Sequence, residues 1–146
     1  MTRIFLITAA LASALSLSLA PSAANANDIT IQQFGSGNDA GGSQNGFRNL
    51  WGVHQDGYWN NSTSHSYGNH NTSATGQNGR YNDSLIEQYG HYNSAGIAQF
   101  GSNHTSILSQ DGYGNITAGV QIGHGCAANV NQSGSGNSVA FVQVCP

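Results

Sequence analysis

The sequence predicts an all-β fold: a two-sheet parallel β-solenoid of 22-residue coils, each built from two 11-residue strand–turn units. Three observations carry this. Glutamine returns every eleven residues, at Gln33, Gln44, Gln55, Gln77, Gln88, Gln99, Gln110, Gln121, Gln132 and Gln143, with Ser66 in the one missed place. Glycine follows these places by two residues, at Gly35, Gly46, Gly57, Gly68, Gly79, Gly90, Gly101, Gly112, Gly123 and Gly134, failing only at Cys145. Asparagine follows by five, at Asn38, Asn49, Asn60, Asn71, Asn82, Asn93, Asn115 and Asn137, with His104 and Cys126 in the remaining two places. A fixed period of this kind outranks local propensity as a guide to architecture.

The first segment is set apart. Arg3 precedes an apolar run from Ile4 to Ala20, and Ala24-Asn25-Ala26 is a small-x-small site. This is the pattern of a secretory signal peptide, not of a membrane span. Cleavage is expected after Ala26, with Ala24 as the alternative, which leaves residues 27–146 as one repeat domain.

That domain holds no lysine and two arginines, Arg48 and Arg80, against six acidic residues. No basic patch for nucleic acid follows from such a balance, nor any polybasic amphipathic helix for a membrane surface. Glycine, asparagine and serine dominate, a composition that without its period would read as a disordered polar tract.

Each unit explains itself from its glutamine outward. Two and four places before it stand pairs such as Ile29 and Ile31, Trp51 and Val53, or Val139 and Phe141, with mostly polar residues between. Alternation of period two is the mark of a strand with one buried face. After the glutamine, glycine and asparagine supply positive φ and local hydrogen bonds for a turn. A strand of five or six residues is expected, roughly 17–20 Å long. Strand, turn, strand, turn makes one coil, and stacked coils bring like residues together. A buried amide needs partners, and stacked glutamines supply them to one another along the axis; the asparagines can do the same at the turns. An antiparallel meander of hairpins has the same count and stays open as the alternative, with like-on-like stacking favouring the solenoid.

Gln33-Phe34-Gly35-Ser36-Gly37-Asn38-Asp39-Ala40 ahead of Gln44, and Gln88-Tyr89-Gly90-His91-Tyr92-Asn93-Ser94-Ala95 ahead of Gln99, resemble the repeat of the curlin family, the subunits of bacterial curli amyloid fibres. The resemblance spans the whole of 27–146. It implies a secreted fibre subunit on the bacterial cell surface, self-associating as a homopolymer, with an outer-membrane export pore and a second curlin subunit as further partners. It implies no cofactor and no small-molecule substrate. Major subunits of the family carry a Gly-rich segment before the first repeat; with Asn27 already on a repeat asparagine place, none is expected here. The basic residues typical of the last repeat of nucleating subunits are absent as well.

Other functions find little support. Asp28, Asp39, Asp56, Asp83, Glu87 and Asp111 are scattered over different places in the repeat and form no pair suited to hydrolysis. His54, His65, His70, His91, His104 and His124 show no zinc-ligand spacing and read as solvated turn or outward residues. Phe34, Tyr67, Tyr89 and Phe100 directly follow ladder places and are expected outside, where they could stack on sugars. A monomeric carbohydrate- or surface-binding module is therefore the alternative function.

Two details complete the reading. Cys126 and Cys145 take an asparagine place and the glycine place one coil later, on the same edge, so a disulfide is expected between them in an oxidising compartment. The end strands, with Ile29 and Ile31 at one end and Val139 and Phe141 at the other, lack blunting residues and are expected to be the polymerisation ends.

Overall fold

In the computed structural model, which describes residues 26–146, nine pairwise ladders join eleven strands, and all nine are parallel. The strands are β1 Asp28–Ser36, β2 Asp39–Asn45, β3 Leu50–Tyr58, β4 Asn61–Asn69, β5 Thr72–Arg80, β6 Asp83–His91, β7 Ser94–Ser102, β8 Thr105–Tyr113, β9 Ile116–His124, β10 Ala127–Ser135 and β11 Ser138–Cys145. Odd strands form one six-stranded sheet in the order β1-β3-β5-β7-β9-β11, and even strands form the other, five-stranded sheet. The hairpin meander is thereby excluded, because its neighbours would be antiparallel. The fold is a two-sheet parallel β-solenoid with 22-residue spacing, as in Gln55↔Gln77 and Gln88↔Gln110. The proposed signal segment lies, apart from Ala26, outside the described residues.

Most strands are nine residues long rather than the five or six expected. Parallel pairing continues through the glycine two places after the glutamine, so the ladder runs past the bend. That glycine has φ of 99 to 137° along the column, and the chain turns the corner while its backbone stays paired to the coils above and below.

Inward residues are those two and four places before each ladder place, and they differ along the axis. Ile86, Ala95, Ile97 and Leu108 form the buried apolar cluster, with Val130 and Phe141 packed against it. Toward the first coils the core turns polar: Ser62, Ser64, Ser73 and Thr75 are buried there. Their hydroxyls bond to one another, Ser64 with Ser73 across the core at 2.7 Å, and Ser84 donating to Ser62 along the even sheet at 3.2 Å. Trp51 and Val53 are the large apolar groups buried in that half. A satisfied hydroxyl contributes little net stability, whereas each buried aliphatic contributes about 1.5–3 kcal/mol. Native-state hydrogen exchange is therefore expected to be slowest within 84–144 and faster within 40–76. Slowest exchange inside 40–76 would contradict this.

Candidate functional site: amide ladders and open edges

The glutamine column is a continuous polar seam. In the odd sheet Gln33 donates Nε2 to Gln55 Oε1 at 2.7 Å, and the pattern repeats from Gln55 to Gln77, Gln77 to Gln99, Gln99 to Gln121 and Gln121 to Gln143 at 2.8–3.2 Å. In the even sheet Gln88 donates to Gln110 and Gln110 to Gln132. The second Nε2 hydrogen bonds the carbonyl sixteen residues earlier, as from Gln55 to Asp39 O and from Gln99 to Asp83 O. Each interior amide thus uses both donors and its acceptor, which is what a fully buried amide requires. Ser66 keeps a remnant of the seam by donating to Gln88 Oε1 at 3.2 Å. Gln44 donates to Asp28 O at 3.3 Å, but its Oε1 is buried without a partner.

The asparagine column works differently from a mutual amide stack. Oδ1 accepts the backbone N–H of the residue one coil later, as from Asn71 to Asn49 and from Asn93 to Asn71. Nδ2 donates to the glycine carbonyl nineteen residues later, as from Asn49 to Gly68 O and from Asn71 to Gly90 O. Direct amide contacts occur only in places, such as Asn82 Nδ2 to Asn60 Oδ1. The column is chiefly a clamp on turn backbone, which strand pairing leaves unsatisfied.

The residue before each asparagine was not legible as a special position. It has positive φ throughout: 55 to 60° at Arg48, Trp59, His70, Tyr81, Tyr92 and Asn103, and 66 to 69° at Gly37, Gly114, Gly125 and Gly136. Its N–H reaches the coil below, as from Trp59 to Ser36 O and from Tyr81 to Tyr58 O. These repeated bonds offset the steric cost of a non-glycine residue in the left-handed region. The placement also throws Trp59, Tyr81 and Tyr92 outward, and His70 stacks on Tyr92 at 4.6 Å. Tyr67 stacks on Tyr89 at 5.1 Å, one place past the ladder.

His104 corrects the reading of the histidines as solvated. It is fully buried in an asparagine place. Its N–H donates to Asn82 Oδ1, its Nδ1 accepts from the Cys126 N–H at 3.1 Å, and its Nε2 lies 3.1 Å from Phe100 O. An imidazole with Nε2 as donor and Nδ1 as acceptor reproduces the asparagine's acceptance from the next coil and its donation to the carbonyl four residues earlier, as from Asn93 to Tyr89 O, without the bond to the glycine carbonyl nineteen residues later.

Cys126 and Cys145 are joined by a disulfide with Cα atoms 5.6 Å apart and a sequence separation of 19. Nineteen residues is also the separation of every Asn Nδ2–Gly O bond, so the covalent link stands where that hydrogen bond would be. Replacing both cysteines by serine is expected to cost about 3 kcal/mol from the freed loop, read as a shift in urea midpoint. Cys126→Asn with Cys145→Gly should recover part of the loss by restoring the hydrogen-bonded pair. Intact mass with and without reductant reports the bond itself; two alkylatable thiols in the unreduced mature chain would sink it.

Among the described residues, the columns reach both ends of the solenoid without a cap. Among the described residues β1, β2, β10 and β11 each pair on one side only. Ile29 and Ile31 stand on inward places of β1 yet are 51% and 42% exposed. Val139 and Phe141 on β11 are partly buried, with the Phe141 ring over Gly119.

Fold and columns together define a structural repeat protein of the β-solenoid class, held by amide ladders. Residues 79–112 match the family model for the curlin associated repeat, a structural and non-enzymatic repeat; the matched segment includes the complete copy from Gln88 to Gln99. By that match the chain is similar to curli-subunit structural proteins. No curated protein and no solved structure matches it.

Proposed function

We propose that residues 27–146 form a secreted subunit that assembles end to end into extracellular amyloid fibres on the bacterial surface, serving biofilm matrix and adhesion. Export through an outer-membrane pore and co-assembly with a second curlin subunit belong to the same reading. The observation that carries it is the pair of open ends. Among the described residues, four terminal strands present unpaired backbone groups, and the glutamine ladder reaches them without a cap. Soluble sheets blunt such edges with lysine, proline or bulges, and these four strands contain neither lysine nor proline. Identical strands stacking at 4.7–4.8 Å are the basis of cross-β growth.

The test starts from denatured residues 27–146, diluted and followed with a fibre dye and fibre diffraction. A lag phase abolished by preformed seeds is expected, with the strand-spacing reflection along the fibre axis. Phe141→Lys should slow growth strongly, since the next copy would have to cover a charge. A folded monomer that ignores seeds and never shows the reflection would reject the proposal. It would favour the second reading, a surface- or carbohydrate-binding module, for which the exposed Tyr67–Tyr89 stack and the exposed Tyr92, stacked on the half-buried His70, speak.

A further inference from the structure

We infer that successive copies in the fibre are related by a half-turn about its axis, so that the odd sheet of one copy is continued by the even sheet of the next. The inference rests on the end-to-end reading above and specifies its interface. Eleven strands divide six and five between the sheets. The upper end is therefore a step, with β11 half a coil above β10, and the lower end is the matching step, with β1 half a coil below β2.

Two placements keep the parallel ladder. Setting β1 of the next copy on β11 continues the odd sheet, but it leaves β10 and the next β2 separated by one missing strand. A half-turn sets the next β1 on β10 and the next β2 on β11. Every place is then filled, and the eleven-residue count runs on without interruption.

The side chains select the second placement. In the half-turn register Gln33 of the next copy lies over Gln132, and Gln44 lies over Gln143. In every complete rung Oε1 accepts from the glutamine one coil below, and Gln44 Oε1 is the ladder acceptor that is buried without a partner. The half-turn gives it Gln143 Nε2 as donor, whereas direct stacking leaves the place below it empty. The apolar groups agree. Ile29 and Ile31, inward yet half exposed, come to lie across the core from Val139 and Phe141 and complete the cluster begun by Ile86, Ile97 and Leu108. Direct stacking would instead leave a strand-sized void opposite Phe141, and voids in a packed core are costly.

Helical reconstruction of fibres grown from unaltered residues 27–146 decides between the placements. Five and a half coils at about 4.8 Å give a subunit rise of about 26 Å, with rotation near a half-turn; direct stacking gives about 29 Å and rotation near zero. A second measurement uses the outward residues Thr30, Asn129 and Ala140, all exposed. Copies carrying Thr30→Cys mixed with copies carrying Asn129→Cys should form intermolecular disulfides in the fibre, and Thr30→Cys with Ala140→Cys should not. A rise of about 29 Å, or cross-linking of the Thr30–Ala140 pair, overturns the half-turn and leaves fibre assembly standing. Failure of the unaltered chain to form seeded fibres overturns the assembly reading, and this inference with it.

Discussion

Gly79→Ala is expected to destabilise the folded chain by about 2–5 kcal/mol, a large share of the stability of a domain of this size. Two costs add. The residue has φ of 137°, and a Cβ there would lie 1.8 Å from the Gly101 carbonyl oxygen, with the rest of that backbone close behind. Leaving the left-handed side of φ space to glycine saves about 1–2 kcal/mol, and forcing extra atoms into a packed contact costs about 1–3 kcal/mol more. The contacting atom belongs to a carbonyl that accepts from Asn82 Nδ2 at 3.2 Å, so swinging it aside would break that bond. Gly114 separates the two effects. Its φ is 66°, but nothing lies within 4 Å of its added Cβ, and Tyr81 and Tyr92 hold the equivalent place in other coils. Gly114→Ala is therefore expected to cost only about 1–2 kcal/mol. Urea midpoints of freshly refolded monomer measure both; equal losses at the two sites would show that backbone approach is not what fixes the glycine column.

The same contrast marks how far the sequence could be read. The period of eleven, the inward pairs and the stacking of like residues were all visible, because a repeat writes its contacts into its spacing. Parallel pairing was favoured by that logic, and the nine parallel ladders settle it. The left-handed place before each asparagine was hidden. It holds arginine, tryptophan, histidine or tyrosine in the middle coils, and these carry no compositional sign of positive φ; the constraint comes from bonds to the coil below, not from the residue. The buried state of His104 was hidden for a related reason. An imidazole imitates an amide only when its neighbours are placed, and while Phe100 lies four residues earlier, Asn82 and Cys126 reach His104 only through the coil. The asparagine column looked like a second amide stack because its spacing matches the glutamine column, yet at the corner the nearest unsatisfied groups are backbone, and they capture the side chains.

Gln99→Leu tests whether the glutamine seam stabilises the fold or only sets its register. Gln99 donates to Asp83 O at 3.0 Å and to Gln121 Oε1 at 2.9 Å, and accepts from Gln77 at 2.8 Å. Leucine leaves three buried polar groups unpaired, at about 1–3 kcal/mol each. The buried aliphatic returns about 1.5–3 kcal/mol, so a net loss of about 2–6 kcal/mol is expected in urea unfolding. Leucine at Gln77, Gln99 and Gln121 together should cost less than three single changes, because neighbouring rungs then lose their partners jointly. Ser66→Gln runs the argument the other way. Ser66 offers one hydroxyl to Gln88 across 3.2 Å, and Gln44 below it has no axial glutamine partner. A glutamine at 66 can accept from Gln44 and donate to Gln88, joining the two halves of the even-sheet seam, with a gain of about 1 kcal/mol expected. If Ser66→Gln destabilises the chain while Gln99→Leu is tolerated, the seam cannot be held by rung-to-rung bonding, and its regularity would have to come from the backbone clamp of the asparagines instead.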